Sequence, residues 1–216
     1  MGWLEWIATI FGLACVVLTI RQNIWCWPTG LVQVALYLYI FAQARLYSDS
    51  LLQAIYVPMQ IYGWWAWLHG GERRAALKVS LARGPRFAAW LVVTGAGSGL
   101  LGFLMHRHTD AALPFADATA AIASLAAQWL MSRKVLQSWL LWIGVDLLSL
   151  YIYWAKGLYP TLGLYSVYLG LAIMGYFAWR KSYLAPASTA CSSASSSPPT
   201  SGTSTSSTSP AASSTT

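Results

Sequence analysis

Apolar residues in this chain run in long stretches separated by short charged or turn-rich breaks. Read between those breaks, the pattern predicts seven helical spans: 3–20, 27–44, 50–68, 87–105, 115–131, 136–155 and 161–179. Several are short for a hydrocarbon core of roughly 30 Å, so aromatic ends are expected to extend them into the membrane interface. Beyond Lys181 the pattern stops. Positions 185–216 are almost only Ser, Thr, Ala, Pro and Gly. With nothing to bury, they are expected to form a disordered tail.

Composition sharpens this reading. Of 216 residues, 57% are hydrophobic and only 9% charged, against roughly 25% charged in soluble domains. So few charges cannot coat a soluble surface. The chain is therefore expected to be a polytopic membrane protein, and the composition excludes a soluble enzyme or a nucleic-acid binder. The net charge of +7 belongs to topology. Arg21, Arg73, Arg74, Lys78, Arg83, Arg86, Arg133, Lys134, Arg180 and Lys181 fall on one side of the spans, and Arg45, Arg107 and Lys156 on the other. The positive-inside rule makes the first side cytoplasmic, with the N-terminus outside and the C-terminus inside. The first span begins with Glu5 and has no basic leader, which predicts a retained span rather than a cleaved signal. Cys15, Cys26 and Cys191 show neither a disulfide framework nor a metal-ligand spacing. His106 and His108 lack a carboxylate set and are expected in a solvated loop.

The most informative feature is a gapless internal repeat at an offset of 112. Gly63-Trp64-Trp65-Ala66-Trp67 aligns with Gly175-Tyr176-Phe177-Ala178-Trp179, Leu38-Tyr39-Ile40 with Leu150-Tyr151-Ile152, and Leu46-Tyr47 with Leu158-Tyr159. Trp27 falls on Trp139, Tyr56 on Tyr168, Arg21 on Arg133 and Glu5 on Asp117. Roughly 19 of about 67 aligned pairs are identical. Shared apolar composition alone yields some matches, but not charged and turn positions in register. The repeats cover 3–69 and 115–181. Three spans are an odd number, so the intervening span at 87–105 restores orientation. The expected architecture is all-α, 3+1+3, with parallel repeats about an axis along the membrane normal, as in SWEET transporters. Such folds place substrate near the midplane between the repeats.

These residues carry a resemblance. Asn23-Ile24-Trp25, Trp27-Pro28-Thr29-Gly30, Ala44-Arg45-Leu46-Tyr47, Ile61-Tyr62-Gly63-Trp64-Trp65-Ala66-Trp67, Ala127-Gln128-Trp129-Leu130, Trp139-Leu140-Leu141-Trp142 and Gly157-Leu158-Tyr159 together resemble the PnuC family of vitamin transporters. The resemblance covers about residues 3–181. It implies uptake of nicotinamide riboside by facilitated diffusion across the inner membrane, trapping by intracellular phosphorylation, no cofactor and a homotrimeric assembly. Asp146 stands where some members carry Asn. Similar relatives take thiamine or other nucleosides, which is the alternative substrate reading.

Polar groups inside hydrocarbon are costly and usually face a cavity. Helical spacing puts Asp117, Ser124 and Gln128 on one face of the fifth span. It puts Trp139, Trp142, Asp146, Ser149 and Tyr153 on one face of the sixth, and Tyr56, Gln60, Trp64 and Trp67 on one face of the third. The expected binding set is Gln60, Trp64, Trp67, Asp117, Gln128, Trp142, Asp146 and Tyr168. A mid-span carboxylate is a functional candidate by default, although Asp146 could instead hydrogen-bond a neighbouring helix. Asp117 lies near a helix start, where a dipole or interfacial role competes. Trp64 is suited to stack on a cationic ring, whereas Trp67 fits a pocket or an interfacial belt equally. Gln33 and Gln43 are secondary candidates, and Pro58 could act as a hinge or a static kink. No Lys or Arg lies inside a span and the interior charge is acidic. That favours a cation without phosphate, such as nicotinamide riboside or thiamine. No catalytic dyad or metal cluster appears in the spans, so an enzyme is not expected. A non-transport membrane interaction protein remains the other reading.

Overall fold

The computed structural model describes residues 2–71, 76–109 and 112–185. Seven helices follow in order: α1 Trp3–Ile20, α2 Cys26–Gln43, α3 Tyr47–His69, α4 Gly84–His108, α5 Pro114–Ser132, α6 Ser138–Ala155 and α7 Tyr159–Leu184. The expected tail from 186 onward, Cys191, and Arg73 and Arg74 lie outside the described residues. All seven expected spans are helices. The boundaries move most in α7, which runs five residues further at its C-terminal end, and α4 runs longer by three residues at both ends. Pro85 sits in its first turn, where a missing N–H breaks no hydrogen bond. Pro58 lies within a continuous α3.

On length and composition, α1, α4, α6 and α7 are apolar enough to cross a membrane by themselves. By that measure α2, α3 and α5 fall short on their own. α2 packs between α1 and α3, and α5 touches α3, α4 and α6. A helix shielded by neighbours needs less lipid-compatible surface than one facing lipid. The outward face of α4 shows the contrast: Val92, Val93, Leu100 and Phe103 are exposed, as expected of side chains solvated by lipid tails.

The repeat is expressed in tertiary detail. Among the described residues, four backbones adopt positive φ: Gln22 (55°), Arg45 (58°), Lys134 (49°) and Gly157 (69°). They form two pairs at the repeat offset. Each follows a helix and closes it with the same two hydrogen bonds; Gln22 N–H donates to Thr19 O and Asn23 N–H to Leu18 O, as Lys134 N–H does to Met131 O and Val135 N–H to Leu130 O. This left-handed closure satisfies terminal carbonyls and turns the chain sharply into the next helix.

The two repeats interlock through four tryptophans. The Trp67 indole N–H donates to Met131 O at 3.2 Å, and the Trp179 N–H donates to Thr19 O at 3.0 Å. These bonds are equivalents, each running from the last helix of one repeat to the first helix of the other. Trp27 meets Trp67 edge-on at 5.3 Å, as Trp139 meets Trp179 at 5.5 Å. The Trp27 ring fills the space over Gly63 and the Trp139 ring that over Gly175. Here glycine is required by close approach: a Cβ at Gly175 would lie 2.5 Å from the Trp139 ring. The contacts α3–α5 and α1–α7 exchange under the same operation.

These contacts gather the ends of α1, α3, α5 and α7 at one end of the bundle. A short strap from the α3–α4 connection closes that end. Ser80 N–H donates to Lys134 O and Leu136 N–H to Ser80 O. The Gln137 amide bonds both the N–H and the C=O of Ala82. Leu77 and Val79 of the strap pack on the tryptophan cluster.

Candidate functional site

A belt of polar side chains crosses the bundle halfway along its helices. The Gln33 amide of α2 and the Tyr168 hydroxyl of α7 converge over Gly12 of α1, each 2.7 Å from where a Cβ would stand. The Gln60 amide of α3 covers Gly30 of α2 in the same way, 2.5 Å from the Cβ position, with the Cys15 Sγ at 3.0 Å. Tyr56 Oη of α3 shares a 2.7 Å hydrogen bond with Ser124 Oγ of α5. Tyr56 and Tyr168 are repeat equivalents, as are Ser124 and Gly12, so one tyrosine–small-residue contact occurs twice.

Asp146 breaks the symmetry. It occupies the position of Val34 in the other repeat, and both are buried. Asp146 is only 5% exposed, yet no hydrogen-bond donor reaches its carboxylate among the described residues. It lies within electrostatic range of Tyr165 and Tyr168. Tyr165 in turn lies tilted against Tyr153 at 5.0 Å and meets Tyr168 edge-on at 5.9 Å. A carboxyl on so buried a residue without a donor is expensive, which suits it to receive a polar ligand.

The expected binding residues are distributed unevenly. Asp146, Tyr168 and Gln60 belong to the mid-span belt. Gln128 is half-buried on α5, one turn from Ser124, and Trp142 is half-buried against the tryptophan cluster. Trp64 is 38% exposed, and no ring contact or hydrogen bond among the described residues joins it to Gln128 or Asp146. Trp67 is 3% exposed. Its faces and edge are taken by Trp27, Trp179 and the Lys134 ammonium 4.3 Å away, so it is a core residue between the repeats. Asp117 forms an ion pair with Lys156 at 2.9 Å, at the opposite end from the tryptophans. Its helix-start position there satisfies the carboxylate locally, outside the belt.

Sequence reasoning missed Gly12, Tyr37 and Tyr165. Tyr37 lies one turn beyond Gln33, and its hydroxyl pairs with Thr9 at 3.2 Å. Helical spacing from Gln33 would have found it. Nothing in the sequence marks Gly12 as the floor under two polar side chains. The indole N–H groups of Trp27 and Trp139 are buried without acceptors, another equivalent pair.

Two parallel three-helix repeats around a mid-span polar belt define a polytopic membrane transporter. Residues 2–181 match the model of the family described as "Nicotinamide mononucleotide transporter", and the chain belongs to that family. It is 30% identical to the "Nicotinamide riboside transporter PnuC" of Escherichia coli, over 89% of this chain and 91% of that one. It is 31% identical to the protein of the same name from Neisseria mucosa, over 83% and 73%. It is also 25% identical to the "Riboflavin/roseoflavin transporter RibM" of Streptomyces davaonensis, over 82% and 84%. The fold matches the crystal structure of "the Vitamin B3 transporter PnuC" with a TM-score of 0.67 at 27% identity, covering 83% of this chain and 81% of that one.

Proposed function

We propose that this protein takes up nicotinamide riboside by facilitated diffusion, binding it in the mid-span belt. The observation that carries this reading is Asp146: a buried mid-span acidic residue without a hydrogen-bond donor among the described residues, in a chain whose relatives are named for nicotinamide riboside transport. The family description names a mononucleotide and the relatives name a riboside; the two differ by one phosphate. A phosphate needs cationic or N–H partners when buried, and no Lys or Arg lies midway along any of the seven helices. The belt offers a carboxylate and neutral amide and hydroxyl groups, which suit a cationic ring and a ribose. Gln60, Gln128, Trp142, Asp146 and Tyr168 are proposed to surround the ligand, with Trp64 closing on the ring as the repeats move. No coupling-ion site is needed for a downhill flux that phosphorylation inside the cell makes productive. Thiamine, also a cation without phosphate, is the alternative substrate.

The end rich in Lys and Arg is proposed to face the cytoplasm of an inner-membrane protein, placing the N-terminus outside, and the working assembly is a homotrimer. The decisive experiment is uptake of labelled nicotinamide riboside into proteoliposomes, competed by thiamine, riboflavin and nicotinamide mononucleotide. Saturable, downhill uptake competed by none of these but unlabelled riboside is the expected result. Accumulation of unmodified riboside against its gradient, driven by a proton or sodium gradient, would overturn facilitated diffusion. Preferential inhibition by thiamine would reassign the substrate.

A further inference from the structure

The strap end of the bundle holds a cavity of about 550 Å³, and none of the eight residues expected to bind substrate lines it. Its walls are Ser80 and Arg83 of the strap, Arg86 and Trp90 of α4, and Trp129 and Arg133 at the end of α5. The cavity is built rather than incidental. The hydrogen bonds of Ser80 with Lys134 and Leu136, and of Gln137 with Ala82, hold the strap against the α5–α6 turn. Arg133 is fixed over the Trp129 ring at 4.7 Å.

Among the described residues its charge is uncompensated. None of Arg83, Arg86 and Arg133 is paired with a carboxylate among the described residues. The described acidic residues lie elsewhere. Glu5, Asp49 and Asp117 are in the first turns of α1, α3 and α5 at the far end, and Asp146 is mid-span. The α4 N-terminus opens here with Arg83 in extended conformation and no side-chain cap, adding free N–H groups and the positive end of a helix dipole. Three guanidinium groups, a helix N-terminus and two amphipathic indoles in one cleft make a receptor for an anion with several acceptor oxygens.

We propose that this cleft binds a phosphate group, presented either by an anionic phospholipid of the adjacent leaflet or by a soluble phosphate ester. Guanidinium groups match phosphate oxygens bidentately; Trp129, stacked on Tyr62 at 5.1 Å, holds the Arg133 guanidinium in place, and Trp90 is left to meet the apolar remainder of the molecule at the membrane interface. The assignment does not depend on which vitamin the belt carries.

The test uses the full chain in neutral detergent, titrated with short-chain phosphatidylglycerol, phosphatidylcholine and inorganic phosphate, read by native mass spectrometry and thermal unfolding. Phosphatidylglycerol or phosphate is expected to bind and raise the unfolding midpoint, with phosphatidylcholine much weaker. The triple variant R83Q/R86Q/R133Q is expected to lose roughly tenfold or more in affinity. The variant R21Q/R180Q/K181Q removes the same charge from the same end outside the cleft and is expected to keep binding. Binding of phosphatidylglycerol alone assigns the lipid source; a response to phosphate assigns the soluble one. Should the triple variant misfold, R133K against R133Q decides, since only R133Q removes the charge stacked on Trp129. Equal losses in the two triple variants, equal binding of phosphatidylcholine, or no binding of either anion would overturn the proposal.

Discussion

The binding chemistry proposed for the belt concentrates in one side chain, Asp146. Asp146→Ala should weaken nicotinamide riboside binding roughly 5- to 150-fold, the 1–3 kcal/mol of a lost buried polar contact, measured by calorimetry on folded protein. Asp146→Asn separates two roles: retained affinity identifies a hydrogen-bond acceptor, and an equal loss identifies charge. Backbone conformation gives a second test. At Gly157 φ is +69° and nothing lies within 4 Å of a Cβ. Gly157→Ala should therefore lower stability by about 1 kcal/mol through conformation alone. At the equivalent kind of turn, Gln22→Gly should raise it by a similar amount, both read by thermal unfolding in detergent. Lys134 supplies a third. Burial over Trp67 lowers its ammonium from the ordinary value of 10.5. The folded protein then releases this proton at lower pH than the unfolded chain, so stability should rise with pH through the window ending near 10.5. Lys134→Met should abolish that part of the rise; an unchanged pH profile would show that the lysine titrates normally.

The helix pairs α2–α3 and α6–α7 depend on glycine facing tryptophan. Adding a methyl at Gly63 or Gly175 drives it into the Trp27 or Trp139 ring. The tryptophans are themselves held by edge contacts to Trp67 and Trp179, so they cannot swing away freely. Gly63→Ala and Gly175→Ala should each destabilise by about 1–3 kcal/mol, the usual range for overpacking. Because the sites are equivalent, the two losses should be similar. A loss in one only would show that the repeats differ in rigidity. The glycines were visible in the sequence as an aligned Gly-x-x-x-Trp pattern. The contact was not, because nothing along the chain states that Trp27 lies over Gly63.

Seen whole, the protein separates its charges between two ends and its polar chemistry into the middle. A cytoplasm-dependent reporter fused after Lys181 should be active, and activity only from a periplasmic reporter there would invert the proposed orientation. Truncation before Ala185 should leave uptake near wild type at equal abundance, since the Ser- and Thr-rich tail has nothing to pack. The helices, their number and the repeat were legible because they follow from local composition: apolar run length sets a span, and an offset of 112 needs no three-dimensional information. The polar faces of α3, α5 and α6 were legible for the same reason, through helical spacing. Which of those polar groups meet was decided only by tertiary structure. Asp117 and Lys156 are 39 positions apart, and Trp179 bonds to Thr19 across 160. Spacing along one helix assigns a face, but packing between helices decides what that face touches. Trp67 and Trp64 share a face and differ by one turn; one became the core of the repeat interface and the other stayed exposed. Lys134 reads as a topology charge in the sequence, and only the fold of the α5–α6 turn buries it on an indole.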